Sequence, residues 1–136
     1  MKIVLEPGAF KPERAHTQDA GLDLFTPEDI LIPPYDRVCV DTRVRVEIPY
    51  GFVGLLTSKS GLMRDSGIIS SGTIDSGYTG TIRAILINTS YEARQFKKGS
   101  KITQLLVLPC ITPLVEIVDA LPETERGENG FGSTGV

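Results

Sequence analysis

The chain contains a single histidine, His16, and only two cysteines among its 136 residues. With one imidazole and no Cys/His spacing suited to zinc, a Ser-His-Asp hydrolase and a histidine-ligated metal centre are both disfavoured. Cys39 and Cys110 stand among apolar neighbours (RVCVD, VLPCI) and read as buried, reduced thiols. Excess positive charge is missing as well. The net charge of −3 offers no basic surface for coating nucleic acid, although a few local cations could still hold one small anion. No apolar run is long enough to cross a bilayer, and the first ten residues, MKIVLEPGAF, lack the long apolar stretch of a signal peptide. A cytoplasmic protein with no membrane partner is expected. Helical periodicity is scarce, and neither an internal repeat nor a domain boundary is visible.

What is present is a sequence of short β-rich runs, at 3–5, 37–40, 44–48, 52–57, 81–88, 102–108 and 114–118. Turn residues separate them, among them Pro7-Gly8, Pro33-Pro34, Pro49-Tyr50-Gly51 and Lys98-Gly99. In the run from Thr42, residues Val44, Val46 and Ile48 alternate with Arg43, Arg45 and Glu47, as a half-buried strand requires. The pattern predicts one all-β domain over 1–136, a distorted jelly-roll barrel with at most one short helix, near 61–65. Residues 122–136 are expected to form a flexible C-terminal arm.

Several polar segments carry possible chemistry. The segment 126–136 reads RGENGFGSTGV, too poor in apolar residues to build a core. Its composition fits a disordered terminus, and it can also wrap a phosphorylated ligand, with glycines for close backbone approach and Arg126 as a planar phosphate fork. The segment 72–80, GTIDSGYTG, has the pattern of a β-hairpin turn. On residue types alone, Asp75 is either a turn residue bonding its own backbone or a general base. Tyr78 is either a packing residue at a strand start or a ring laid against a sugar. The string Ser58-Lys59-Ser60-Gly61-Leu62 follows a strand and precedes the short helix, where amides, a hydroxyl and a lysine suit an anion. Asp23 interrupts an apolar strand and needs a partner there: an arginine, a backbone cap or a metal-bound water. Gln104 lies in another apolar run, where a glutamine commonly serves internal hydrogen bonding.

Taken in order, AGLDL, SKSGL, GTIDSGYTG, KGSKITQLL and RGENGFGSTG resemble the five ordered motifs of the trimeric deoxyuridine triphosphatases, the dUTPases. The resemblance runs from about residue 20 to the C-terminus, and its last motif is highly specific. It implies a homotrimer with active sites at subunit interfaces and Mg²⁺-dependent hydrolysis of dUTP to dUMP and pyrophosphate. That reaction limits uracil in DNA and supplies dUMP for thymidylate synthesis. By the same resemblance Asp75 is the catalytic base, activating a water that attacks the α-phosphorus in line. Tyr78 lies under the deoxyribose and leaves no room for a 2′-hydroxyl, while the backbone of Gly72, Thr73 and Ile74 reads the uracil edge. Lys59, Ser60, Gly61 and Gln104 fall on the phosphate side, and Asp23 holds Mg²⁺ through water. From the arm, Phe131 stacks on uracil, with Arg126, Gly132, Ser133 and Thr134 around the nucleotide, in an arm that a neighbouring subunit usually supplies.

Two departures from the family pattern stand out. Many members have Pro-Arg-Ser-Gly where this chain has Ser58-Lys59-Ser60-Gly61, which keeps the charge and loses the planar fork. Many also have a second aspartate where this chain has Gly77. Two other readings compete. The related dCTP deaminases use a glutamate on the strand after the hairpin, and Ile82-Arg83-Ala84-Ile85-Leu86-Ile87-Asn88 carries no carboxylate. A non-catalytic nucleotide-binding regulator of the same fold is the other.

Overall fold

The computed structural model describes residues 1–130. In chain order the elements are β1 (Ile3–Leu5), β2 (Leu22–Phe25), β3 (Ile30–Ile32), β4 (Arg37–Asp41), β5 (Val44–Val46) and β6 (Phe52–Thr57). Then come α1 (Ser60–Ser66), β7 (Ile68–Ile74), β8 (Arg83–Asn88), β9 (Arg94–Phe96) and β10 (Lys101–Pro109). Six strands form one sheet in the order β2-β10-β6-β7-β8-β4, and β1-β5 and β3-β9 add two short ribbons. The all-β expectation holds, and the one helix lies where the sequence placed it.

The sheet curls over two apolar clusters. Leu22, Leu24, Leu56 and Leu105 meet Val44, Val46 and Ile48 in one. Ile30, Ile32, Val40, Leu86 and Ile102 form the other. Val44 and Val46 are buried with Arg45 exposed between them, as their alternation predicts. Strand β7 links the clusters because Ile68 packs in the second and Ile74 in the first. To do so it changes partners part-way. Residues Ile68 to Ser70 pair with β8, whereas Ser71 to Ile74 pair with β6. On the returning side, the Ile82 N–H donates to the Val44 carbonyl at 2.8 Å, and the Ile82 carbonyl accepts from the Thr42 N–H at 3.0 Å and the Thr42 hydroxyl at 2.8 Å. The hairpin between β7 and β8 is therefore splayed toward its tip, each arm held by a different neighbour.

Two expectations fail. Residues 114–118 form no strand: Leu114, Val115 and Ile117 are almost wholly exposed, and no strand of the described chain lies beside them. Cys39 is exposed and Cys110 half-buried. The reason is strand parity, since Val40 points into the core and Cys39, one residue earlier and opposite Ile85, points out.

Candidate active site

The first half of the site is built where β2, β10 and the end of β6 meet. Gln104 is opposite Asp23 on β2 and opposite Thr57 on β6. A bulge sets this arrangement: between Lys101 and Thr103 the β10–β2 register shifts. Ile102 and Thr103 are consequently both buried, and Lys101 and Gln104 are both delivered to the side of Asp23. The loop after β6 is pinned at Ser58, whose hydroxyl accepts the Ser70 N–H at 2.9 Å and donates to the Ser70 carbonyl at 3.2 Å. Ser70 in turn shares a hydrogen bond with Thr103 at 2.9 Å, and Gln104 Nε2 donates to the Ser58 carbonyl at 3.1 Å. This buried polar network holds Lys59, Ser60 and Gly61 at the start of α1. Among the described residues no buried side-chain polar atom lacks a partner.

Asp23 is nearly buried, 5% exposed. Its partners are neither an arginine nor a cap but two lysines. Lys59 pairs with Oδ1 and Lys101 with Oδ2, the latter at 3.1 Å. Lys101 also reaches Glu13 Oε1 at 2.9 Å. Glu13 and then Asp23 hold the Lys101 ammonium above the usual lysine range. Gly21 leaves space for Gln104 in its present position: a Cβ there would stand 2.0 Å from Gln104 Oε1. Two cavities flank the corner, one of about 430 Å³ beside Ser60, Gly61 and Lys101, the other of about 340 Å³ beside Gly21 and Asp23. Lys59 and Gln104 line both and form the wall between them.

The second half is the hairpin. Asp75 to Tyr78 form a turn in which the Tyr78 N–H donates to the Asp75 carbonyl at 3.2 Å. Gly77, the third residue of that turn, has φ +88°, the left-handed conformation that glycine adopts most readily. That explains one departure from the family pattern, because this turn geometry favours glycine over aspartate at the position. Tyr78 folds back so that its hydroxyl donates to the Thr81 carbonyl at 3.0 Å. Its ring leaves no room for a side chain at Gly80, where a Cβ would stand 2.3 Å from the Tyr78 hydroxyl. Asp75 is exposed. The 72–74 edge that faces away from β6 has no ladder partner, because β8 turns away to β4. A further cavity, of about 670 Å³, lies between this tip and β1, lined by Tyr50, Gly77 and Tyr78 among others.

The structure thus brings Asp23, Lys59, Ser60, Gly61 and Gln104 together, and Gly72, Thr73, Ile74, Asp75 and Tyr78 together, as two separate groups. Ser71 is level with Thr57 and so with Gln104, and Asp75 lies four residues further on. At about 3.3 Å per residue the offset is roughly 13 Å along the strand. Arg126 occupies an exposed turn and donates from Nε to the Asn129 carbonyl at 3.1 Å. Phe131, Gly132, Ser133 and Thr134 lie outside the described residues.

The family model for dUTPase matches residues 9–135. The chain belongs to the dUTPase family. Among its relatives is the deoxyuridine 5'-triphosphate nucleotidohydrolase of Clostridium kluyveri, 44% identical over 131 residues, covering 94% of this chain and 92% of that protein. The protein of the same name from Paramecium bursaria Chlorella virus 1 is 39% identical, with 97% and 94% covered. Among solved structures, the dUTPase of Staphylococcus bacteriophage 80alpha with dUPNHPP superposes with a TM-score of 0.93 at 32% identity, covering 99% of this chain and 98% of that one. A mutant dUTPase from phage phi11 of S. aureus, described as showing coordination of a structural Mg(II) ion, has a TM-score of 0.81 at 30% identity, with 88% and 96% covered.

Sequence reasoning missed Lys101, Glu13, Gly21 and Gly80. Lys101 lies inside the fourth motif, three residues before Gln104, but only the bulged register turns it toward Asp23. Gly21 and Gly80 each adjoin a motif residue, and their role shows only once a neighbouring side chain is seen in the space of their absent Cβ.

Proposed function

We propose that this chain hydrolyses dUTP to dUMP and pyrophosphate, at sites assembled from more than one copy of itself. The observation that carries this reading is the splayed hairpin: an unladdered backbone edge at 72–74, with an aspartate and an anchored tyrosine at its tip. Such an edge can pair with the acceptor-donor-acceptor sequence of uracil, its O4, N3–H and O2, and groups left unpaired by the wrong base give strong discrimination. Uracil sits against Gly72, Thr73 and Ile74. Tyr78 packs on the deoxyribose, where its ring excludes a 2′-hydroxyl. Asp75 orients and deprotonates the water that attacks the α-phosphorus in line, and pyrophosphate leaves.

The phosphate chain extends into the corner lined by Lys59, Ser60, Gly61 and Gln104. In one chain that corner lies roughly 13 Å along the sheet from Asp75, at about 3.3 Å per residue. We read the hairpin of one copy as facing the corner of another, the arrangement of a homotrimer with its active sites at subunit interfaces. The exposed apolar side chains of Ile111, Leu114, Val115, Ile117 and Leu121 support the same reading, since a short segment that exposes this many large apolar side chains suits a contact surface. The arm, 122–136, closes over the bound nucleotide of a neighbouring copy, with Arg126, Gly132, Ser133 and Thr134 at the phosphates and Phe131 on the base.

Among the described residues no group of three or more His, Cys, Asp or Glu could hold a metal ion. A single buried carboxylate fits a magnesium ion that keeps most of its waters and takes its remaining ligands from phosphate. Asp23 would hold it through water. When bound, the ion neutralises charge on the phosphate oxygens. Among the described residues no helix is long and apolar enough to cross a membrane.

Pyrophosphate release from dUTP, with dCTP, dTTP and UTP alongside, tests the proposal. Release from dUTP alone, abolished in Asp75→Asn, is expected. Ammonia release from dCTP would instead support a deaminase, against which the outward positions of β8 offer only Arg83, Ile85 and Ile87. Nucleotide binding without any release would support the non-catalytic regulator.

A further inference from the structure

The two lysines on Asp23 are not equivalent. Lys101 is anchored twice, 3.1 Å from Asp23 Oδ2 and 2.9 Å from Glu13 Oε1, and its ammonium lies 5.8 Å from the centre of the Phe25 ring. Glu13 is itself tied to Asp23 through the backbone. The Asp23 N–H donates to the Glu13 carbonyl at 2.8 Å, and the Glu13 N–H to the Asp23 carbonyl at 3.3 Å. Glu13, Lys101 and Asp23 Oδ2 thus close a ring of contacts. The Lys59 ammonium has one partner among the described residues, Asp23 Oδ1. It also stands in the wall between the two cavities of the corner.

An arriving polyanion affects these two ammoniums differently. Lys59 can exchange one carboxylate oxygen for several phosphate oxygens, whereas Lys101 already spans two carboxylates and has less to gain. Departure of Lys59 joins the two cavities at that point. It also leaves Asp23 and Glu13 facing one ammonium in place of two, so the corner changes from neutral to an excess of one negative charge.

We propose that Lys101 is a positioning residue: clamped by Glu13, it fixes Asp23 through Oδ2 and so reserves Oδ1 for a hydrated divalent cation that arrives with the triphosphate, Lys59 covering that oxygen until the phosphates draw it away. Lys59 is then a built-in substitute cation, and phosphate binding is coupled to cation binding through its movement. The inference rests on the dUTP-hydrolysis reading and adds to it the order in which the corner exchanges its charges. Glu13, Asp23 and Phe25 are the groups recorded against Lys101.

The test is calorimetric titration of the full chain with α,β-imido-dUTP, with and without Mg²⁺. In the unsubstituted protein Mg²⁺ is expected to tighten binding by about tenfold, a typical coupling between two sites. Lys101→Met should reduce that factor to about twofold or less while leaving metal-free affinity within about threefold, and Lys101→Arg should restore the coupling. Equal weakening with and without Mg²⁺ would overturn the proposal, because Lys101 would then be a phosphate ligand or a purely structural residue. Retention of full coupling in Lys101→Met would overturn it as well. If Lys101→Met does not fold, Glu13→Gln decides, since that carboxylate is 55% exposed on its side chain. Its coupling should fall, and an unchanged value contradicts the clamp. A second readout is Mn²⁺ binding without nucleotide, followed by electron paramagnetic resonance. Lys59→Met should strengthen it several-fold by removing the competing ammonium, and no change would contradict the substitute-cation role. Failure of the unsubstituted protein to bind the analogue would overturn the hydrolase reading itself. Analogue binding with no Mg²⁺ dependence would overturn only the inference made here.

Discussion

The corner around Asp23 and the hairpin tip around Asp75 are both candidate acid sites, yet they are built in opposite ways. Asp23 is buried, with both carboxylate oxygens engaged by lysines and its backbone bonded to Glu13. The loop beside it is fixed by Ser58, Ser70, Thr103 and Gln104. Asp75 is exposed on a turn whose inner edge is unladdered. On the proposed reading, one chain assembles the phosphate half of the site by itself and leaves the chemical half open. The contrast teaches that preorganisation is distributed unevenly. The corner is held by hydrogen bonds and ion pairs within one chain, and on the proposed reading Asp75 gains its surroundings from substrate and from a second copy.

The largest expected effect lies on the exposed side. Asp75→Asn should lower kcat by about 10²–10⁴-fold, the usual contribution of a general base, with no loss of thermal stability. A melting temperature that falls with activity would show that Asp75 has structural partners that this chain does not reveal. Asp23→Ala should differ in costing stability along with activity. It leaves two partly buried ammoniums facing each other, so the melting curve should move by about 1–3 kcal/mol, less than the cost of breaking a fully buried pair because the lysines keep some solvent. A denaturation curve unchanged by Asp23→Ala would remove the distinction between the two regions.

Much of this contrast was legible beforehand, and the rest was not for definite reasons. Asp75, Tyr78 and Asp23 could be named because local motifs carry them, and the alternation of Val44, Val46 and Ile48 showed which face is buried. The partners of Asp23 could not be read, because they depend on a bulge at Ile102 and on where β6 turns into α1, both non-local facts. Parity misled for Cys39, since apolar neighbours in sequence say nothing of which side a residue faces in a strand. Residues 114–118 have a strand's pattern without a strand's partner in their own chain.

Smaller effects should sharpen the comparison further. Gly21→Ala forces Gln104 to move and should raise KM for dUTP by roughly tenfold, about the worth of one lost hydrogen bond to a charged group. Unchanged kinetics would mean that Gln104 does not touch the phosphates. Gly80→Ala displaces the Tyr78 ring and should mainly relax sugar discrimination, visible as UTP hydrolysis rising relative to dUTP by about tenfold or less. Unaltered discrimination would detach Tyr78 from the sugar.

The central claim is that the corner of one copy works with the hairpin of another. Subunit mixing tests it directly. Asp75→Asn and Asp23→Asn chains, each inactive alone, are unfolded together, refolded in equal amounts and assayed for pyrophosphate release from dUTP. If each site takes its hairpin from one copy and its corner from the next, about a quarter of sites receive both intact halves, as random mixing across a head-to-tail interface requires. Recovery of activity near that fraction is the predicted result. Activity no greater than the sum of the two separate variants would contradict the account, because both aspartates would then have to act within one chain.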